Sequence, residues 1–519
     1  VPLTASSLAL PPEHHKSSGM HGIATVCART GRFAAGYSLP SLVFLAVFVP
    51  FAFRLPNDGD LYWHLRTGHW ILDHSAVPTV DIFSYPMAGQ PWVTHEWLAA
   101  VFLDLAHEAL GWAGVSVLTA AALGLTLSQI ASFLRPRIDP PYVLAGLALA
   151  FSLLMPHYLA RPHALAMPVG VHWVQRLITA SEEGKPPPFS LLAWMVLWAN
   201  LHGGFLLGLG FLLVLAIEAI LDAPDGAPRA VLAKRWTIFA AMAVLASLIT
   251  PNGLTGFLHP FHLLGLQSLP MFIGEWKSAS FAAFTPLEGL ILLVILIGFR
   301  SDLRLPWVRL LLLLALFHFA LKHARNGELL GLYAPLLLAT PLARNLESRL
   351  HPHPLSRFFQ QLPPSLDGWH RVSIGILVLL MISLAAIAEV RPAFPPPGFE
   401  TAVKIARKEG LVHRRVFNHY DFGGYLIFSQ IPVFIDGRTD LYGDAFLERY
   451  ARAVGVRHID QLEAVLRDYD IGWTLLRPSD PATVLLDHLP GWQRHYANDV
   501  AVIHVRTSPR PAETGGKPR

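Results

Sequence analysis

A sorting of charge between apolar stretches constrains this chain more tightly than any single motif. Apolar runs of roughly 15–22 residues, each near the length that spans a bilayer, recur from Tyr37 to Val390. The gaps between them alternate in character. One set carries Arg29/Arg32, Arg135/Arg137, Lys185, Arg229/Lys234/Arg235, Arg300/Arg304/Arg309 and Arg344/Arg349/Arg357. The other carries Asp58-Gly-Asp60, His95-Glu96, Arg161-Pro-His163, Asn200-Leu-His202, Asn252, Glu275-Trp276 and Lys322-His-Ala-Arg-Asn326. Positively charged loops stay in the cytoplasm, so the second set gathers on the opposite face. That face is where chemistry is expected.

Composition agrees with a polytopic membrane protein. The 519 residues are 53% hydrophobic and only 15% charged, where a soluble domain carries about 25% charged residues. The net charge is +4. Its basic residues lie in short loops, which marks topology and excludes a nucleic-acid surface. A single cysteine, Cys27, rules out an internal disulfide framework or a thiolate metal site. Residues 1–36 read as a disordered cytoplasmic tail, with Met20 as an alternative start. The first span begins too late for a cleaved signal and reads as a retained anchor.

Parity tests this reading. With the N-terminus inside, 37–55 exits and a large outer loop, 56–111, follows. The stretch 97–109 is tempting as a second span, but it is short and carries Asp104, His107 and Glu108. If it crossed, Arg135 and Arg137 would land outside. It is therefore expected to be a juxtamembrane or partly inserted helix. Then 112–134, 141–159, 164–180, 188–201, 203–221, 235–250, 286–299, 306–321, 327–343 and 372–390 cross in turn. The membrane domain, 37–390, thus has about 11 transmembrane helices.

Composition changes at Arg391. A Pro-rich linker, 391–398, leads to residues 399–506, which read as a small soluble α/β domain on the extracytoplasmic side. Helices are expected at Phe399–Lys408 and at about 443–454 and 458–468. Strands are expected near 416–417, 425–428, 433–435, Trp473–Leu476 and 500–505. The tail 507–519 reads as disordered.

The outer loop opens on Asp58-Gly-Asp60. Two carboxylates at i and i+2 suit one divalent cation, or one acts as a base beside the other. The competing structural reading makes Asp60 the N-cap of a helix over 61–74. That helix is amphipathic, with Leu61, Leu65, Ile71 and Leu72 opposite His64, Arg66 and His69. Trp63 and Trp70 suit a helix lying on the bilayer surface.

With those residues in hand the chain resembles the GT-C class of integral-membrane glycosyltransferases. That class includes the protein O-mannosyltransferases, the aminoarabinose transferases acting on lipid A and the bacterial RgtA/B/C/D-like proteins. The resemblance rests on Asp58-Gly-Asp60-Leu-Tyr-Trp-His64, Pro91-Trp92-Val-Thr-His95-Glu96-Trp97, Trp198-Ala-Asn200-Leu-His202-Gly203-Gly204, His323-Ala-Arg325-Asn326 and Phe434-Ile-Asp436-Gly437-Arg438. It implies an all-α polytopic domain followed by a small α/β domain. It also implies transfer of a sugar from a polyprenyl-phosphate donor to an envelope glycan, lipid or protein at the outer face of a bacterial inner membrane. An acidic residue of the first outer loop then serves as base or metal ligand, which falls on Asp58 or Asp60. A divalent cation, Mg or Mn, would sit at that pair. Glu96 is a further acidic candidate.

The lipid phosphate that leaves needs cationic or hydrogen-bonding stabilisation. His64, His95, Arg161, His202, Glu275, His323, Arg325 and Asn326 are the candidates for binding donor or substrate. Each has a plainer reading. Lys322 suits snorkelling to headgroups, Arg325 pairing with Asn326 and Glu328, His202 a solvated loop tip, and Trp276 an interfacial anchor. Arg438 reads as an internal ion pair with an aspartate, although residues after a strand also form ligand sites. The alternative for the whole chain is a non-catalytic lipid or polysaccharide carrier, or an envelope scaffold. A carrier would place its ionisable residues within the spans. An enzyme would bring Asp58, Asp60, Glu96 and Arg325 to one outward cavity.

Overall fold

The computed structural model describes residues 38–54, 58–224, 228–300, 305–346, 368–388, 390–392, 394–456 and 458–507. The expected tails lie outside these apart from Thr507, as does most of the basic loop around Arg349 and Arg357.

The order of elements begins with α1 (Ser38–Phe51), α2 (Leu61–His74), α3 (Trp97–Leu134), α4 (Pro140–Leu154) and α5 (Pro162–Glu182). It continues with α6 (Leu192–Leu201), α7 (Phe205–Leu221), α8 (Arg229–Ser247), α9 (Gly253–Gly265) and α10 (Leu269–Phe272). Then come α11 (Pro286–Arg300), α12 (Trp307–Lys322), α13 (Gly327–Leu346) and α14 (Gly368–Ile387). Every segment expected to cross holds a helix. Three, Trp97–Leu134, Pro140–His157 and Arg229–Ser247, are long and apolar enough to cross a membrane by length and composition. Shorter apolar helices accompany them among the described residues, including Phe205–Leu221 and Pro286–Phe299. Their common core includes Leu127, Ile130, Trp173, Leu177, Phe211, Leu212, Trp236, Tyr333 and Leu336, all buried.

Helix α3 is two helices joined at a break. Leu110 (φ −140°) and Gly111 (φ 59°, ψ −147°) leave the helical region. Only glycine holds that second conformation without strain. The break divides 97–109, which carries Asp104, His107 and Glu108, from the apolar 112–134. The first half packs on α2, and its His107 meets Phe428 of the C-terminal domain, ring centroids 5.9 Å apart.

The helix ends sort into two groups. At one end, Arg309 on α12 joins Glu218 on α7 (2.7 Å) and Glu182 on α5 (3.1 Å), and Arg137 after α3 reaches Glu182 at 3.3 Å. Arg309 and Glu218 are buried. These are ends that the charge pattern assigns to one face. The acidic and histidine motifs collect at the other. Between α8 and α11, α9 presents Leu254, Leu258, Phe261 and Leu264 outward, as a helix lying along an apolar medium does.

The C-terminal domain runs α15 (Phe399–Lys408), β1 (Val416–Asn418), α16 (Gly423–Phe428), α17 (Thr439–Val454), α18 (Ile459–Asp468), β2 (Trp473–Leu476), α19 (Pro481–Leu486), β3 (Trp492–Ala497) and β4 (Val502–Arg506). Its sheet has the order β1-β2-β4-β3, with β1 and β2 parallel and the other pairs antiparallel. Two expected strands are corrected. Residues 425–428 lie in the helix α16: Gly423 and Gly424 let its start pack on the backbones of Ile435 and Gly59, where a Cβ would lie 2.2 Å from either carbonyl oxygen, and the short apolar run suits either state. Val433 forms only an isolated bridge, and with Ser84 of the outer loop. Strand β3 went unanticipated, because its residues are mostly exposed and show no buried alternation.

That bridge docks the outer loop on the domain. Val433 N donates to Phe83 O and Tyr85 N to Val433 O, both at 3.2 Å. A buried ionic group stands beside it. Arg438 Nε and Nη2 donate to the two oxygens of Asp436, at 2.8 and 2.7 Å, and Nη1 donates to Asp81 of the loop at 2.7 Å. The guanidinium lies over Trp92, 4.7 Å from its centroid. The ion pair expected within the domain is present, and it extends to the membrane-proximal loop.

Candidate active site

Gly437 follows Asp436 and brings the domain against the start of α2. A Cβ at Gly437 would lie 1.9 Å from Asp60 Oδ1, so only glycine permits this approach. Asp60 occupies the N-cap position of α2, but its backbone is helical and its side chain makes no cap bond. Instead its N–H donates to Asp58 Oδ1 (3.0 Å), and its Oδ1 accepts from Trp63 Nε1 (3.3 Å). The i, i+2 turn aims both carboxylates at Arg161, which precedes α5.

Arg161 is the hub. Nε and Nη2 donate to Asp58 Oδ2 and Oδ1 at 2.7 and 2.9 Å. Nη2 also lies 2.9 Å from Asp60 Oδ2, and Nη1 donates to Glu275 Oε1 at 3.1 Å. Glu275 is shared further with Arg325 (3.6 Å) and His157 (3.8 Å). Arg325 sits over the ring of Trp276 at 5.1 Å. Asp58 has a side chain 1% exposed, and that of Asp60 is 25% exposed. The solvent-reachable carboxylate is therefore Asp60.

Environment sets the charges. Enclosure raises the pKa of Asp60 to about 7, overcoming the opposing pull of Arg161, and the Asp58 charge adds to the rise. Burial would also raise Glu275, but its bond to His157 and the charges of Arg325 and Arg161 hold it well below the usual carboxylate range. Burial would lower the Arg161 pKa, and Asp58 and Asp60 more than offset it, so that cation is permanent.

A second group adjoins the first. Glu96 stands among His95 (3.5 Å), His202 (3.6 Å) and His64 (3.8 Å). Burial holds His64 at about 4 and His202 at about 3, so both are neutral near pH 7. For His95, burial is outweighed by Glu96, which raises it. Burial likewise works to raise Glu96 and is outweighed, chiefly by His95, which holds Glu96 well below its ordinary value. Of the three imidazoles, His95 is the one whose surroundings favour the charged form. Its ring lies 4.5 Å from that of His259, whose Nε2 is 3.4 Å from Asp440 of the C-terminal domain. His163, 6.3 Å from His202 between ring centroids and 3.8 Å from Glu328, lies beside both groups.

The structure therefore gathers Asp58, Asp60, Arg161, Glu275 and Arg325 into one network and His64, His95, Glu96 and His202 into its neighbour. It places two candidates elsewhere. His323 Nδ1 is 2.6 Å from the carbonyl of Trp276, which fixes that loop. Asn326 is half-buried and donates to Phe319 O at the end of α12. The expected grouping of Arg325 with Asn326 and Glu328 is also corrected: Arg325 turns to Glu275 and Glu328 to His163. His157 and His259 were missed. Neither lies in a local motif, and only the crossing of separate helices brings them in.

The positive charge between Asp58 and Asp60 is the Arg161 guanidinium. A Mg or Mn ion would have to displace it, so the pair does not fit a cation in this arrangement. Beside Glu96, an open apolar groove of about 520 Å³ runs between Trp97, Leu98, Val196, Leu197 and Ile249.

No family model matches the chain, and no curated protein matches it by sequence. Solved structures do. The apo oligosaccharyltransferase of Archaeoglobus fulgidus is similar at 11% identity and a TM-score of 0.55, over 88% of this chain and 70% of that one. The same enzyme, AglB, in complex with an inhibitory peptide and a dolichol-phosphate gives 11% identity and 0.55, over 87% and 70%. ArnT from Cupriavidus metallidurans bound to undecaprenyl phosphate gives 12% identity and 0.48, over 96% and 100%. The likeness is one of fold: the chain folds similarly to the Archaeoglobus fulgidus oligosaccharyltransferase.

Proposed function

We propose that the chain is a membrane glycosyltransferase. It moves a sugar from a polyprenyl-phosphate donor to an envelope glycan, lipid or protein on the extracytoplasmic face of a bacterial inner membrane. One observation carries the reading. At the end of the bundle opposite the basic loops, the C-terminal domain closes over a reachable carboxylate, Asp60, with Arg161 on it and Arg325 linked to that arginine through Glu275.

Asp60 is the base. Its raised pKa of about 7 suits proton acceptance at neutral pH. The acceptor hydroxyl gives its proton to Asp60 as its oxygen bonds to the anomeric carbon. The bond from that carbon to the donor phosphate oxygen breaks, and the electron pair leaves with the phosphate. Arg325, held by one carboxylate at 3.6 Å, offers its remaining donors to the developing charge. Asp58, with both oxygens on Arg161, positions that arginine. The apolar groove beside Glu96 suits an isoprenoid tail. No step passes through a metal ion. The carrier reading is weaker, because the ionisable residues inside the bundle, Arg309 and Glu218, are already paired at the opposite end.

The test is a panel of polyprenyl-phosphate sugars offered to the purified protein. One donor should support transfer, and chelation with EDTA should leave that rate intact. Asp60→Asn should lower turnover by about 100-fold or more with donor binding retained. Full activity in Asp60→Asn and in the double variant with Asp58→Asn would move the site to Glu96 or Glu275.

A further inference from the structure

A different cluster lies farther along α2, on its contact with the first half of α3. Gly68 brings the two helices together: a Cβ there would lie 2.2 Å from Ala100 O and 2.7 Å from Asp104 Cβ. The next residue, His69, therefore meets the acids of α3. His69 Nδ1 is 3.2 Å from Glu108 Oε1 and 3.6 Å from Asp104 Oδ2. Its other nitrogen, Nε2, is 3.4 Å from Asp73 Oδ2. The ligand atoms of His69, Asp104 and Glu108 all lie within 4.8 Å of one another.

Two features mark this as more than an acidic patch. Asp104 is only 4% exposed, yet its Oδ2, the atom facing His69, has no hydrogen-bond partner among the described residues. Burying an unsatisfied carboxylate oxygen is costly. Charge points the same way. Asp73, Asp104 and Glu108 surround one histidine, so even a protonated imidazole leaves an excess of about two negative charges, which a dication would neutralise.

We propose that His69, Asp104 and Glu108 bind a divalent transition-metal ion, zinc in the first instance, and so staple α2 to α3. A tetrahedral zinc with bonds of about 2.0–2.1 Å holds its ligand atoms roughly 3.3 Å apart, close to the two distances from His69. The imidazole disfavours magnesium and calcium, which take oxygen ligands. Asp73 accepts the Nε2 proton and fixes the tautomer that presents Nδ1 to the metal. Half-exposed Glu108 provides the way in, and water completes the fourth position. The ion is structural. It joins the helix that begins after Asp60 to the helix that begins after Glu96, and the proposal stands whether or not the chain transfers sugars.

The experiment uses full-length protein in detergent, stripped by a chelator and then titrated with zinc chloride, with bound metal counted and thermal unfolding followed. With 25 histidines in the chain, the difference between variants is what counts. The wild-type chain should retain one more zinc than Glu108→Gln or His69→Gln, and zinc should raise its unfolding temperature but not theirs. Asp73→Asn should keep the site and weaken it by about 10–100-fold. Excess magnesium should give no shift. Glu108 is half exposed, so its glutamine variant tests the site without threatening the fold. Equal zinc counts and equal thermal shifts in wild type and Glu108→Gln, or an equal shift with magnesium, would overturn the assignment.

Discussion

Asp58 and Asp60 are two positions apart and differ most in access. Asp58 is sealed under Arg161, whereas 25% of the Asp60 side chain stays exposed. The difference has a pH signature. The base proposed for Asp60 works only when ionised, and its pKa is raised to about 7, so activity should fall about tenfold per unit as pH drops below 7. The Asp58 charge is one cause of the rise. Asp58→Asn should therefore move the acid limb to lower pH. Arg161 opposes the rise, so Arg161→Gln should move the limb to higher pH. Rate profiles of kcat/KM for the three proteins read both shifts. A limb that stays fixed in both variants would show that the titrating group is not Asp60.

Among the elements, the docking of the outer loop on the C-terminal domain rests on Arg438. It is 1% exposed and bonded to Asp81 and Asp436. Removing one partner of a buried ionic group strands the others, at a cost of about 3–5 kcal/mol. Arg438→Met should therefore lower the unfolding temperature sharply, and Asp81→Asn combined with Arg438→Met should recover part of the loss. Thermal melts of the single and double variants measure both. The same level shows what a reader of the sequence can see. The break at Gly111 was legible, because Asp104 and Glu108 do not suit the middle of a bilayer. The helix at 423–428 was not, because six residues carry too few turns to separate a period of 3.6 from one of 2. Strand β3 hides for the opposite reason, since an exposed strand needs no apolar alternation. In the site, the acids and Arg161 announce themselves beside apolar runs. Their hub arrangement does not, because Asp58, Arg161 and Glu275 meet only through packing of distant helices.

At the scale of the molecule, charge separation gives the architecture its direction. The cluster of Arg137, Glu182, Glu218 and Arg309 marks one end, and the Asp58 network marks the other. The positive-inside rule leads us to expect the first end in the cytoplasm. In a chain with Cys27 replaced by serine, Arg467→Cys should react with an impermeant thiol reagent from outside intact cells, and Lys185→Cys should react only after lysis. Labelling in the reverse order would invert every placement above.

The bond between Arg438 and Asp81 joins residues 357 positions apart. Ribosomes add about 5–20 residues per second, so roughly 20–70 s separate the synthesis of the two partners. During that interval Asp81 has left the ribosome without its counter-ion, and Asp60 lacks the Gly437 wall. The carboxylate pair is made well before the residues that enclose it. A chain released from a ribosome that stalls in the membrane domain therefore lacks the Gly437 wall over Asp60. Only a chain that includes the C-terminal domain encloses Asp60, because the wall against it is Gly437.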